Sequence, residues 1–449
     1  MVTRTVALSG FPEWLPEQRL VEQRVLDTLR EVFELHGFSS VETRALEPLT
    51  ELVRQGETSK EVYVVRRLNA EPSGDDTGLG LHFDLTVPLA RYVVEHAGKL
   101  DFPFRRYQVQ RAWRGERPQD GRFREFTQAD IDIVGKDTLG FHHEVELTLV
   151  AGEAFRRLPL PPVRMLVNNR RIAEGFYLGA GIDAELVPEV LRSVDKLDKI
   201  GPDEVRTALS ADGLTAAQAD ACLRLAEISA ADSSFVPQVR ALGVEHELLD
   251  QGLEELARVV DAAAEHAPGL VVADLKIARG LDYYTGTVYE TQLVGHEDLG
   301  SICSGGRYDA LATDGATTYP GVGISFGVTR LLSRLFSREL VVASRRVPTC
   351  VVVALPDDAS RPQCDRIAAA LRARGIPTEV APDAAKYGKQ IRYAERRGVP
   401  FVWFPGADGE ADQVKDIRTG DQLDAGAGTW VPPDTDRHPT ISSSKERTQ

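Results

Sequence analysis

The sequence predicts an α+β chain built of several units, on three observations. Strand-like runs separated by turn-rich loops fill residues 62–135 and return at 279–335. A mostly helical, alanine-rich stretch at 162–270 interrupts them. After residue 344, apolar strands alternate with helices, the pattern of a small α/β unit. A chain of 449 residues exceeds one ordinary core, so two or three domains are expected.

Residues 16–37 read as an amphipathic helix. Leu20, Val21, Val25, Leu26, Leu29, Val32 and Phe33 share one side, Pro16 suits the first turn and Gly37 the stop. Extended stretches follow, VYVVRRL and GLHFDLT, with the polar loop NAEPSGDDTGLG between them. In LHFDLTVPLAR, strand alternation would point Leu81, Phe83 and Leu85 one way and His82, Asp84 and Thr86 the other. Asp84 with Thr86 then offers acceptors to an ammonium group; a solvated polar face is the plainer alternative.

Residues 104–135 hold two strand-like runs around the loop GERPQDG. In FREFTQADIDIVG, alternation sets Arg124, Phe126, Gln128, Asp130 and Asp132 on one face and Ala129, Ile131 and Ile133 on the core side. Phe126 could stack on a planar ring and Asp132 could accept from an N–H. The run ARGLDYYTGTVYE is weak alone, since paired tyrosines are more often core or interface. In CSGGRYDAL and GVGISFGVTRLLSRL the glycines 305, 306, 321, 323 and 327 fit neither the dinucleotide nor the Walker spacing. Their plainer reading is close packing of strand and helix. The last residues, 432–449, are polar and expected to be disordered.

A net charge of −15 opposes nonspecific nucleic-acid binding. Basic residues nevertheless concentrate at 105–124: Arg105, Arg106, Arg111, Arg114, Arg117, Arg122 and Arg124, against Glu116 and Asp120, with no lysine. Arginine presents a fixed fork to phosphates and carboxylates. Cys222, Cys303, Cys350 and Cys364 form no CxxC pair, which fits a reducing compartment without zinc site or disulfide framework. No apolar run reaches the ~18 residues of a membrane span, and the N-terminus lacks a secretory core. A cytoplasmic protein is expected.

These segments together resemble class II aminoacyl-tRNA synthetases, and among them the histidyl enzymes, over residues 11–428. The carriers are DLTVP, WRGERPQDGRFREFTQADIDIVG, RGLDYYTGTVYE, VNNRRIAEGF, SVDKLDKI, YGKQIRYAERRGVPFVWF and QVKDIRTGDQ. The resemblance implies an antiparallel catalytic sheet flanked by helices, in two parts (1–161 and 271–343) around a helical insertion (162–270). An α/β anticodon-binding domain at 344–431 precedes the polar tail. It also implies a homodimer using residues 21–52, where Arg44 stands in place of a proline usual in the first class motif.

Roles carry over by position. Asp84, Leu85 and Thr86, with Gln128, resemble the holders of the substrate α-amino group. Arg114 resembles the arginine gripping the ATP α-phosphate and the histidine carboxylate. Glu116 resembles the reader of the adenine amino group, and Arg122 and Phe126 the nucleotide-binding arginine and stacking ring. Arg330 resembles the arginine on the far phosphates. Asp132 and Tyr284, with Tyr283 beside them, resemble the pair bonding the imidazole nitrogens. Arg279 resembles a catalytic arginine, joining Arg114. Arg117 and Gln119 match positions used on the tRNA acceptor end. Holding the loop is the alternative for these two. ATP, with Mg²⁺ on its phosphates, L-histidine and tRNA(His) are the implied partners, and no protein metal site is implied. Three other readings are weighed, one of them a noncatalytic RNA-binding module, against which the intact ATP motifs argue. A regulatory paralogue usually lacks the anticodon domain and erodes RGLDYY, and another class II synthetase would not carry the paired tyrosines in this form.

Overall fold

The computed structural model describes residues 6–53, 61–69, 78–277, 284–407 and 410–444. Two compact units emerge, Met1–Pro12 with Leu26–Arg334, and Glu13–Val25 with Leu335–Gln449. The helix Pro16–Leu35 forms where predicted, and Val21, Val25, Leu26, Leu29, Val32 and Phe33 are buried. Phe33 rests against Tyr107 and Phe326, with ring centroids 5.9 and 5.8 Å away.

In the larger unit the strands are β1 (Ser39–Ser40), β2 (Leu46–Pro48), β3 (Val64–Val65), β4 (Leu79–Leu81), β5 (Phe104–Trp113), β6 (Glu125–Val134), β7 (Val163–Asn169), β8 (Ser229–Ala230), β9 (Val271–Asp274), β10 (Tyr284–Leu293), β11 (Cys303–Thr313) and β12 (Thr318–Gly327). Among the described residues one sheet runs in the order β1-β5-β6-β12-β11-β10-β7-β9-β8. From β5 to β7 every pairing is antiparallel, while β1–β5 and β7–β9 are parallel. One face of β6 meets the core through Ala129, Ile131 and Ile133, all fully buried, as alternation predicts. The helix His142–Arg157 packs behind β12, with Phe155 against Phe326 at 5.2 Å.

Three elements differ from expectation. The stretch 162–270 begins with β7, a sheet strand paired to β10 from Val163↔Leu293 to Asn169↔Thr287; its helices lie between Arg170 and His266. A short apolar run such as VRMLV cannot be told from a buried helix by periodicity alone. Second, the strand expected through Thr86 ends at Leu81, and a helix spans Thr86–His96. Asp84 Oδ1 accepts the Val87 amide at 3.1 Å, and Pro88, with no N–H to lose, fits the first turn.

The third difference lies in the smaller unit. Its strands are β13 (Val341–Ala343), β14 (Val351–Val353), β15 (Thr378–Val380), β16 (Phe401–Phe404), β17 (Gln413–Asp416), β18 (Gln422–Asp424) and β19 (Ile441–Ser443). Parallel β15-β14-β16 with the helices Arg361–Ala373 and Tyr387–Arg396 realise the predicted α/β alternation; β17 and β18 add on antiparallel. The expected disorder after 432 is corrected up to residue 444. β19 pairs with β13, and the buried Arg345 guanidinium donates to the carbonyls of Asp436 at 2.6 Å and Arg437 at 3.0 Å. Backbone acceptors do this work, so a polar composition does not betray it.

Candidate active site

Two adjoining hollows lie on the polar face of the central sheet and meet at Ser304 and Ser325. The larger, about 610 Å³, gathers cations: Arg114 just past β5, Arg122 in the β5–β6 loop and Arg330 in the helix Val328–Ser337. Each guanidinium is tethered. Arg114 Nε donates to the Phe83 carbonyl at 2.9 Å, and its guanidinium lies 5.1 Å over the Phe126 ring. Arg330 Nε and Nη1 donate to the carbonyls of Gly121 and Ser301 at 2.8 and 2.7 Å. Arg122 reaches Glu116 at 3.4 Å. Burial first, then the Arg122 and Arg114 charges, push the Arg330 pKa down. With two of the three held by neutral carbonyls, these cations form a preorganised place for an anion.

The smaller hollow, about 220 Å³, gathers carboxylates and hydroxyls: Thr86, Asp130, Asp132, Tyr284, Ser304, Tyr308 and Ser325. Register explains its floor. Two rows cross the strands β5, β6, β12 and β11: Gln108–Asp130–Ser325–Ser304 and Arg106–Asp132–Gly323–Gly306. A Cβ on Gly323 would sit 2.0 Å from Asp132 Oδ1, one on Gly321 2.4 Å from the Tyr308 ring, and one on Gly306 2.8 Å from the Tyr284 ring. These glycines therefore clear space for pocket side chains on neighbouring strands. Close strand–helix packing, the plainer expectation, is not their role here.

Asp132 is fully engaged. Its Oδ2 meets Arg106 Nη2 at 2.7 Å, and its Oδ1 accepts the Tyr308 hydroxyl at 2.9 Å. Each oxygen keeps a second lone pair. Arg106 itself is wholly buried. Burial raises the pKa of Asp132, partly opposed by Arg106 and Tyr308, and also that of Asp84, opposed by the Val87 amide and Arg114. Burial, with Asp132 and Asp84 adding to it and Arg106 and Ser325 opposing it, pushes Asp130 up to about 7.

The structure thus brings Arg114, Glu116, Arg122, Phe126, Gln128 and Arg330 to one cavity, and Thr86, Asp132 and Tyr284 to the other. Gln128 Nε2 donates to Ser325 Oγ at 2.5 Å. Asp84 is buried at the turn before Thr86. The Leu85 side chain is buried, and its carbonyl lies 3.4 Å from Arg106 Nη2. Arg117 and Gln119 are exposed in the β5–β6 loop, where Gln119 bridges Arg122. Arg279 and Tyr283 lie outside the described residues. Sequence reasoning did not single out Arg106, Tyr308 or Ser325. Tyr308 had a signal, since it shares strand parity with Ser304 and Gly306. Arg106 stood only as one of the arginine cluster, because its partner comes from another strand.

Comparison with known proteins gives the family. The family model for histidyl-tRNA synthetase matches residues 10–331, and that for the anticodon-binding domain matches residues 349–425. A histidine–tRNA ligase of Cutibacterium acnes is 57% identical, covering 98% of this chain and 99% of the relative. One of Micrococcus luteus is 56% identical, covering 99% and 100%. The crystal structure of histidyl-tRNA synthetase from Nostoc superposes with a TM-score of 0.84 at 34% identity, over 94% of this chain and 97% of that one. A Bacillus halodurans protein named as an ATP phosphoribosyltransferase regulatory subunit/histidyl-tRNA synthetase shares the fold, with a TM-score of 0.72 at 18% identity.

Proposed function

The chain belongs to the histidyl-tRNA synthetase family and is an ATP-dependent histidine–tRNA ligase, and on that premise we propose how its residues divide the work. The observation carrying the proposal is the pairing of a cation-lined cavity with a carboxylate-lined one along the same strand, β6. ATP takes the first, its adenine on Phe126 near Glu116, its phosphates toward Arg114, Arg122 and Arg330. Histidine takes the second. Asp132 and Tyr284, joined by Tyr283, receive the ring nitrogens; Asp84, Thr86 and Gln128 receive the α-ammonium, with Leu85 placing the turn.

The substrate carboxylate then faces the α-phosphate at Arg114. Attack of that carboxylate on the α-phosphorus expels pyrophosphate and leaves histidyl-adenylate. Two anions must be brought together while charge grows on the phosphoryl oxygens, so positioning and fixed cations dominate. Arg114 supplies one such cation and Arg279, entering with the histidine signature, a second. The 3′-terminal hydroxyl of tRNA(His) next attacks the acyl carbon and AMP leaves.

Among the described residues no group of three or more His, Cys, Asp or Glu side chains is placed to hold a metal. Glu116 is a carboxylate at the cavity. A donor set this sparse fits Mg²⁺ carried on ATP's own oxygens, where it neutralises phosphate charge. Arg117 and Gln119 are placed to meet the acceptor end, and the unit at 344–431 to read the anticodon. Residues 1–161 and 271–343 form the catalytic domain around the insertion at 162–270. A homodimer through residues 21–52 and a cytoplasmic location complete the proposal; among the described residues no helix is long and apolar enough to cross a membrane.

Pyrophosphate exchange with ATP, run with each standard amino acid in turn, is the test. Exchange with histidine alone is expected. Exchange with none, despite a folded protein, would favour a regulatory paralogue.

A further inference from the structure

Asp130 lies between Gln128 and Asp132 on the polar face of β6, in neither of the roles given above. It is 2% exposed, yet it lines the smaller pocket. Its Oδ1 is a buried atom with no hydrogen-bond partner, and so are Asp84 Oδ2 and Gln128 Oε1. Asp84 lies near enough to act on Asp130 electrostatically, and buried acceptors left open are costly unless something donates to them. An ammonium group, with N–H donors only, is a ligand that open carboxylate oxygens suit.

The charges around Asp130 point the same way. From β5 comes Arg106, already in contact with Asp132. Asp132 stands on its own strand and Asp84 on the turn before the Thr86–His96 helix, both carboxylates. Ser325 faces it from β12, Cys303 and Tyr308 stand on β11, and Tyr284 on β10. Arg114 acts on Asp84. The local balance lacks a cation, and without one Asp130 is held largely as the neutral acid until well above the usual carboxylate range.

We propose that Asp130 is a substrate-binding residue: with Asp84 it receives the α-ammonium of the substrate amino acid, and it releases its own proton to solvent as that cation arrives. The proposal rests on reading the smaller pocket as the histidine site. It assigns the ammonium to Asp130 because Asp132 is already built into a fixed acceptor by Arg106 and Tyr308, whereas Asp130 has a free oxygen.

The test is calorimetric titration of the full chain with L-histidine and with its deamino analogue, imidazolepropionate, in two buffers of different ionisation heat. At about pH 6.5 a group with this pKa is about three-quarters protonated, so about 0.75 of an extra proton should leave with histidine relative to the analogue, once the proton each free ligand's own ring carries at that pH is subtracted. Asp130→Asn should abolish that difference and weaken histidine about tenfold or more, as expected for losing one partner of a buried charge pair, with the analogue changed less than about twofold. Equal proton release by both ligands in the wild type, after that ring correction, overturns the proposal, and this arm needs no variant to fold. Equal loss of both ligands in Asp130→Asn also overturns it. A wild-type protein that binds neither ligand overturns the histidine reading itself, a different failure from one in which histidine binds without proton release.

Discussion

The two hollows on the sheet are opposites. The nucleotide side is built from guanidiniums, two of them tethered to backbone carbonyls and Arg122 to Glu116, and the amino-acid side from carboxylates sunk below the surface. A guanidinium keeps its charge at any working pH, so burial there stores electrostatic potential. A buried carboxylate can shed its charge by taking a proton, so burial there stores a titration. The contrast teaches that one face of one strand, β6, can serve two ligands of opposite demand because the neighbouring strands change under it. Where β12 and β11 offer glycine, Asp132 spreads onto Tyr308; where they offer serine, Asp130 stands with an open oxygen.

The largest effect should come from the cation side. Arg114→Ala removes a tethered donor aimed at the α-phosphate, and loss of one preorganised donor typically costs ~10²–10³ in rate. Histidine-dependent pyrophosphate exchange should fall by that factor with the melting temperature little changed. Arg114→Lys should recover only part, since a point charge cannot hold both Phe83 and a phosphate in one fork. An alanine variant exchanging at the wild-type rate would break the comparison at its strongest point.

Asp132→Asn tests the carboxylate side. The KM for histidine should rise about 10–100-fold, the loss of one charged partner at a buried site, while the KM for ATP stays within about twofold. The variant also leaves Arg106 buried without its counter-ion, which destabilises by roughly 3–5 kcal/mol. Arg106→Met added to Asp132→Asn should restore much of the melting temperature and none of the histidine affinity. If affinity returns with stability, Asp132 acts on the fold and not on the ligand.

Next comes pH. Asp130 is raised to about 7, so it is protonated below that value and charged above it. Only the charged form suits an ammonium. The KM for histidine should therefore fall as pH rises toward 7 and level off above it, with a slope approaching tenfold per unit on the acid side. The KM for ATP should stay flat over the same range, because its partners are arginines. Stability of the unliganded protein runs the other way. A carboxyl with a raised folded pKa favours the native state below its unfolded value, near 4, and this contribution is lost as pH rises to about 7. Histidine's own ring titrates nearby, so Asp130→Asn gives the baseline: whatever slope it keeps belongs to the substrate.

Much of this was legible. The alternation of FREFTQADIDIVG placed Phe126, Gln128, Asp130 and Asp132 on the ligand face, because apolar Ala129, Ile131 and Ile133 claim the core side and successive strand residues point opposite ways. The α/β alternation after 344 was equally plain. LHFDLTVP misled, since alternation over a few residues imitates a strand; the better signal was Asp84 followed by Pro88, a helix start. Arg106 and Tyr308 were out of reach, as their meaning lies in a pairing across strands far apart in sequence. β19 escaped because its order comes from backbone pairing and from Arg345 on carbonyls, which composition does not record.

The smallest effect is expected where neither hollow reaches. Arg117 is exposed in the β5–β6 loop, so no desolvation amplifies its charge. In the first half-reaction its replacement should change little: Arg117→Ala should exchange pyrophosphate within about twofold of wild type, as for exposed charges generally. If it touches the tRNA backbone or acceptor end, aminoacylation should drop several-fold through the KM for tRNA(His). The deficit should shrink as salt rises, because each phosphate that a side chain neutralises adds about one unit to the salt dependence of binding. Gln119→Ala, uncharged, should lower charging without changing that salt slope. Equal charging by wild type and both variants would assign the loop to holding Arg122 through the Gln119 bridge, and the acceptor end would have to be met elsewhere.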